Sequence, residues 1–373
     1  MKRSVVFSLV FLVTPVWLLA QASTQVSSPQ GPSPNTPRTI GAVQGKMGDR
    51  PAAVVKSTQT PPYYPKALRD AGIKGEVLVE VSIDRINNVS EPRIIQSDRT
   101  ELDALAIEAV LGWEYQAAIV NGQMVKSSLQ VPVVFDPAAQ AGKGIKRART
   151  SGRPGKDLPP EYQYDEPPVL VRKVKPVYPY DLLRKSRTGR ATVTFIVDPT
   201  GNARGAEVKT ASEPEFGAAL AAMAEALEFE PATKNGQPCW ALLTLEKVFN
   251  QIGPESPVDA DTKELLLELE QTEPKVYTPA ELDEKLKPVY RAPPQISDAV
   301  SKAGVPASAE IEFIIDLHGR ARLPRVLSAT NEDFGWAAAT AASRWVFNPP
   351  LKGGEPVYVR ARVPFKYTPP KKG

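Results

Sequence analysis

Three stretches of the chain, residues 63–135, 177–249 and 295–367, are equal in length and lie beneath one another without a gap. Whatever one of them folds into, the others should fold into as well, so the repeat limits the architecture more than composition does. Marker residues keep their spacing in all three copies. An Asp closes an apolar run at Asp84, Asp198 and Asp316, and a large apolar residue follows at the same distance as Trp113, Leu227 and Trp345. Next come Tyr115, Phe229 and Phe347, and then the pairs Asn121-Gly122, Asn235-Gly236 and Gly353-Gly354.

The hydropathy pattern repeats with the letters. Val77, Val79, Val81 and Ile83 alternate with Glu76, Glu80 and Ser82, interrupted by Leu78. The later copies place Ala191, Val193, Phe195 and Val197, then Ala309, Ile311, Phe313 and Ile315, in the same register. A period of two predicts a half-buried strand. Asp84-x-x-Asn87, Asp198-x-x-Gly201 and Asp316-x-x-Gly319 predict a turn, because Asp bonds its own backbone and Asn or Gly tolerates positive φ. A second strand should follow near 88–96, 202–210 and 320–328. Leu102, Leu105, Ala106, Ala109, Val110 and Trp113 then form one helical stripe. It returns as Phe216, Ala219, Leu220, Met223, Ala224 and Leu227, and as Phe334, Ala337, Ala338, Ala341, Ala342 and Trp345. The Asn-Gly or Gly-Gly turn should introduce a last strand, with Val125, Leu129, Val131, Val133 and Phe135 on one face of the first copy. A short helix near 65–71, with Pro65 in its first turn and Gly72 after its last, opens the unit. The expected fold class is α+β: three tandem small domains, each a three-stranded antiparallel sheet packed by a helix in the order α-β-β-α-β, joined by flexible linkers.

The expected boundaries are domains at 51–137, 167–251 and 276–369. A disordered linker at 23–50, a basic linker at 138–166 and an acidic linker with a short helix at 252–275 separate them. Lys2 and Arg3, an apolar run over 4–19 and Ala20-Gln21-Ala22 have the form of a secretory signal peptide over 1–22. The alternative is an uncleaved inner-membrane anchor over 4–20, which is short for a span and contains Pro15. The expected location is therefore the periplasm or cell envelope.

Cys239 is the single cysteine and His318 the single histidine. No intramolecular disulfide can form, and one His with one Cys supplies neither a recurrent zinc site nor a nucleophile–His pair in every copy. His318 is expected in an exposed hairpin turn, the three Asp residues as turn caps, and Trp113 and Trp345 in cores. The chain is accordingly read as non-enzymatic, with no cofactor. A net charge of +4 is too small to argue for nucleic acid. The basic residues of the 138–166 linker read as a solvated spacer, or as attraction to anionic surfaces.

One run of residues is more specific. It comprises Tyr64-Pro65 with Ala67, Gly72-x-x-Gly75, Ile83-Asp84, Leu102-Asp103 with Ala106, Trp113 and Ala117, Asn121-Gly122, and Val131-Pro132-Val133-Val134-Phe135. This run resembles the C-terminal domain of the TonB family. The second copy keeps Tyr178-Pro179, Gly189, Val197-Asp198, Phe229-Glu230-Pro231-Ala232 and Asn235-Gly236. The third keeps Trp345-x-Phe347-x-Pro349, Gly354 and Val363-Pro364, but has Ile296-Ser297 for Tyr-Pro and Ala307 for the Gly. The resemblance implies a periplasmic domain that docks to outer-membrane transporters, an extended transporter peptide pairing with its last strand. Pro132 and Pro364 support an edge position for that strand, since proline in a sheet is confined to edges or bulges. An edge offers unpaired backbone groups to a partner, although proline there also protects against aggregation.

The candidate partner-binding positions are Val125, Ser127, Leu129, Val131, Pro132 and Val133 in the first copy, Leu243 and Leu245 in the second, and Val357, Val359 and Val363 in the third. Expected partners are outer-membrane transporter peptides or other envelope proteins, with peptidoglycan a further candidate and nucleic acid excluded. The chain departs from the family pattern in having no His near its N-terminus, a short spacer and three domains in tandem. A non-energised multivalent envelope scaffold or peptidoglycan-binding adaptor therefore stands as the alternative to a part in TonB-type transport.

Overall fold

The structure, a computed structural model, describes residues 38–40, 49–136, 158–172, 174–252 and 256–370. The stretch read as signal or anchor, most of the 23–50 linker and the basic residues of the second linker lie outside them.

In each copy the alternating strand sits in the middle of a sheet: Gly75–Ile83, Gly189–Val197 and Ala307–Ile315. On one side it pairs antiparallel with Val89–Ser97, Ala203–Ala211 or Ala321–Ala329. On the other it pairs antiparallel with the last strand, Ser127–Phe135, Ala241–Phe249 or Tyr358–Tyr367. The apolar face of this sheet is buried under the predicted helix. Val77, Val79, Val81 and Ile83 meet Leu102, Ala106 and Val110 of the first copy with no solvent exposure. Phe216 and Leu220 on Pro214–Glu225, and Phe334 and Ala338 on Glu332–Ala342, do the same in the later copies. Each large side chain so buried contributes roughly 1.5–3 kcal/mol.

The hairpin turn is built identically three times. Asp84 Oδ1 accepts from the N–H groups of Ile86 and Asn88 at 2.9 and 2.8 Å. Asp198 accepts from Thr200 and Asn202 at 2.8 and 3.0 Å, and Asp316 from His318 and Arg320 at 2.9 and 2.8 Å. The residue three after the Asp has positive φ each time: Asn87, Gly201 and Gly319. In the later copies the glycine also lets another strand come close, its carbonyl accepting from Phe229 N–H at 2.8 Å or Phe347 N–H at 2.7 Å. A Cβ there would sit 1.9 Å from the Phe229 carbonyl oxygen or 2.0 Å from that of Phe347. Asn87 has such a Cβ and uses its side chain instead, accepting from Ala117 N–H at 2.7 Å.

Two elements differ from the sequence expectation. The Asn-Gly or Gly-Gly turn does not lead straight into the last strand but closes a small hairpin arm first. The arms pair Ala118–Val120 with Gln123–Val125, Ala232–Lys234 with Gln237–Cys239, and Leu351–Lys352 with Glu355–Pro356. Val125 belongs to such an arm, and Val357 lies between arm and last strand. Each copy is also preceded by a short strand that pairs beyond the helix: Ala53–Val54, Val169–Arg172 and Pro288–Tyr290.

The acidic segment does form a short helix, Ala260–Leu269, capped by Asp259, whose side chain accepts from Thr262 N–H at 3.0 Å. It is not a free spacer, because Leu265 is buried in the middle copy's core. The described residues fall in one compact unit, in which the copies share their cores. Ile314, Leu323 and Tyr358 of the third copy lie in the middle copy's hydrophobic cluster. Ile107 of the first lies in that of the third.

Candidate functional site

The outer side of the last strand is where the three copies differ. In the first copy Arg38–Ile40 pairs with it antiparallel, Arg38 opposite Gln130, Thr39 opposite Leu129 and Ile40 opposite Ser128. In the third, Val276–Tyr277 runs parallel beside Tyr358 and Val359. These additions make the first and third sheets four-stranded, whereas the middle sheet keeps three. The outer side of Ala241–Phe249 has no paired strand among the described residues. A 3-10 turn at Pro160–Tyr162 comes up to that strand without joining it.

The positions expected from sequence fall on these strands in two ways. Leu129, Val131, Pro132, Val133, Leu243 and Val359 are buried, while Ser127, Leu245, Val363, Val125 and Val357 are half-buried. The buried aliphatic side chains are part of the cores, so what the edge offers is backbone together with the alternate residues. In the middle copy those are half-buried Leu242 and exposed Thr244, Glu246 and Val248. Trp240 stands at the head of this strand and is 44% exposed, whereas Tyr358, its counterpart in the third copy beside Val276, is 9% exposed. Trp240 was missed in the sequence; its register with Tyr358 was the signal available.

Polar clusters hold the copies together. Glu108 of the first copy accepts from Arg344 of the third, from Tyr290 Oη at 2.8 Å and from Arg172 Nη2 at 3.2 Å. Arg172 Nη1 donates to Glu228 at 2.8 Å, and Glu228 also accepts from the Tyr63 hydroxyl. Burial pushes the Glu108 carboxyl up, but Arg344 and Arg172 more than offset this and hold it below the usual carboxylate range. In a second cluster Arg322 donates to Asp316 at 2.7 Å, Asp259 at 2.5 Å and Asp261 at 2.7 Å. Here three carboxylates converge, but on a guanidinium. Among the described residues no group of three or more His, Cys, Asp or Glu is arranged to hold a metal ion.

His318 is not the exposed turn residue expected. It is half-buried, with Nε2 3.3 Å from the Asn88 side-chain nitrogen and 3.8 Å from Asp84, because the third copy's hairpin tip lies against the first copy's. A cavity of about 730 Å³ lies between the copies, with Glu108, Tyr115, Tyr178, Asp259, Arg320 and Arg344 in its wall.

A small α+β unit, its helix packed on a three-stranded antiparallel core sheet, present three times and packed on itself, is the class of protein that this architecture defines. The family model described as Gram-negative bacterial TonB protein C-terminal matches residues 60–137, 174–250 and 293–369, more than half of the chain, and the chain belongs to that family. It is 36% identical over 83 residues to the protein TonB of Xanthomonas campestris pv. campestris (strain B100), covering 22% of this chain and 37% of that protein. It is 34% identical over 108 residues to the protein TonB of Vibrio cholerae serotype O1, covering 28% of this chain and 43% of that protein. The matches thus span less than half the length of these relatives. A solution NMR structure of the Pseudomonas aeruginosa TonB CTD is similar to 25% of this chain and is covered over 92% of its length, with 20% identity and a TM-score of 0.21. Among the described residues no helix is long and apolar enough to cross a membrane.

Proposed function

We propose that this is a periplasmic TonB-like docking protein, exported by its N-terminal signal. It takes part in TonB-type transport by pairing the middle copy's last strand with extended segments of outer-membrane transporters or other envelope proteins. One observation carries the reading: the outer side of Ala241–Phe249 has no strand beside it among the described residues, while the corresponding sides in the other two copies do. An added strand would satisfy the edge backbone groups, each bond contributing roughly 0.5–1.5 kcal/mol net, and side-chain contacts would select the partner. Peptidoglycan binding and multivalent scaffolding find less support. Avidity across flexible linkers needs independently placed sites, and the copies share their cores.

The test is titration of labelled extended peptides from outer-membrane transporters of the same cell against the full chain and against single prolines at Leu242, Leu243, Thr244 and Leu245. Successive N–H groups of a strand point to opposite sides. Every second proline should therefore leave the melting temperature nearly unchanged and remove binding, while the intervening ones disturb the sheet. Binding that survives all four would overturn the proposal.

A further inference from the structure

We infer that the first copy carries a second docking edge, gated by the chain's own strand Arg38–Ile40, which a partner strand must displace. The inference rests on the proposed function only for the identity of that partner.

The geometry of the cover points to a gate rather than a fixed part of the sheet. Ser127–Phe135 is held on its inner side by nine residue pairs with Gly75–Ile83, but the cover contributes three, opposite Ser128, Leu129 and Gln130. Beyond them Pro132 has no N–H to offer a longer cover. The cover is tethered close by. Arg50 exchanges two backbone hydrogen bonds with Ile119, at 3.0 and 2.9 Å, and Asp49 Oδ1 accepts from Asn121 N–H at 2.7 Å. The chain is thus pinned to the hairpin arm that precedes the last strand. A strand tethered so close recloses readily but competes intramolecularly with any partner.

The third copy has a different kind of cover. Val276–Tyr277 is parallel, lies between the helix Ala260–Leu269, anchored by its buried Leu265, and a Thr278–Glu281 capping box, and carries Lys352 Nζ 4.8 Å above the Tyr277 ring. It is secured on both flanks. Among the described residues the same edge therefore occurs open, gated and closed. The antiparallel register of Arg38–Ile40 also specifies what fits the gated edge: an extended segment entering antiparallel along Ser128–Gln130.

The test compares the full chain with a variant carrying Arg38→Pro, Thr39→Pro and Ile40→Pro, which removes every donor the cover could use. Hydrogen exchange is read over Ser127–Phe135, with Gly75–Ile83 as the control for an intact sheet. The probe is a labelled synthetic peptide of residues 33–45 of this chain. Amide exchange at Ser128 and Gln130, whose N–H groups share the outward side with the Pro132 position, should accelerate about tenfold or more in the variant, while Leu129 stays protected by the inner strand. The added peptide should restore protection there, while in the unaltered chain it should leave this strand unchanged. Equal exchange in the two proteins, or a peptide that leaves the variant's last strand unprotected, overturns the inference. Transporter peptides that fail at Ala241–Phe249 while the first copy behaves as described would instead count against the proposed function alone.

Discussion

Glu108 in the first copy's helix accepts a hydrogen bond from Arg344 of the third copy, 236 residues further along the chain. The same carboxylate takes Arg172, so a single side chain ties the first and third repeats to the strand that leads into the second.

Replacing Glu108 with Gln leaves two guanidinium groups facing a neutral amide. Removing one partner of a fully buried pair costs about 3–5 kcal/mol. Arg172, Arg344 and Glu108 keep 15%, 16% and 22% side-chain exposure, which dilutes the effect. We expect a loss of about 2 kcal/mol by urea denaturation, and a change below about 0.5 kcal/mol would mean that the cluster is ornamental. Because the Glu108 carboxyl is lowered on folding, its contribution is present above the unfolded-state value and lost as pH falls through the folded one.

Asp259 should make the linker helix sensitive to acid. Burial raises its carboxyl, but Arg322 and Thr262 lower it further, to about 2. Its stabilisation is thus complete above about pH 4, near the ordinary Asp value, and disappears as the pH falls toward about 2. Protection factors for amide exchange within Ala260–Leu269, taken against the intrinsic rate at each pH, should fall across that window. In Asp259→Asn the pH dependence should flatten, and an unchanged profile would assign it elsewhere.

Gly201→Ala and Gly319→Ala should each destabilise by about 3 kcal/mol or more, from positive φ combined with a Cβ driven into a carbonyl oxygen. Asn87→Gly should stay within about 1 kcal/mol, since relief at φ 70 offsets the lost bond to Ala117. Thermal unfolding of the three variants orders them directly.

Trp240 is suited to anchor a strand added to the middle copy. Trp240→Ala should leave the melting temperature within a few degrees but weaken peptide binding about tenfold or more, as loss of an aromatic anchor does. Equal affinity would place the binding determinants further along the strand.

The repeating unit was legible because its signals are local. Strand alternation from Val77 to Ile83, the Asp84 turn and the helical stripe ending at Trp113 each depend on neighbours within a few residues. The junction was not legible for the opposite reason. Glu108, Arg172, Tyr290 and Arg344 look like ordinary surface residues in sequence, and nothing periodic announces that distant copies bring them together. The covering strands escaped notice too, because Arg38–Ile40 and Val276–Tyr277 are too short to show alternation. Pro132 and Pro364 mark their last strands as edges, but nothing in the sequence marks two of the three edges as occupied.

The third copy's Ile314, Leu323 and Tyr358 complete the middle copy's core. A chain made from its N-terminus onward cannot finish that core until Tyr358 has emerged, although Ala241–Phe249 appears much earlier. The middle copy's last strand therefore becomes firm only once most of the third copy has been made. A product truncated soon after residue 250 would carry the whole middle repeat yet hold its docking strand on an unfinished core, vulnerable to proteases. The third repeat thus acts as a certificate of full-length synthesis for the one beside it.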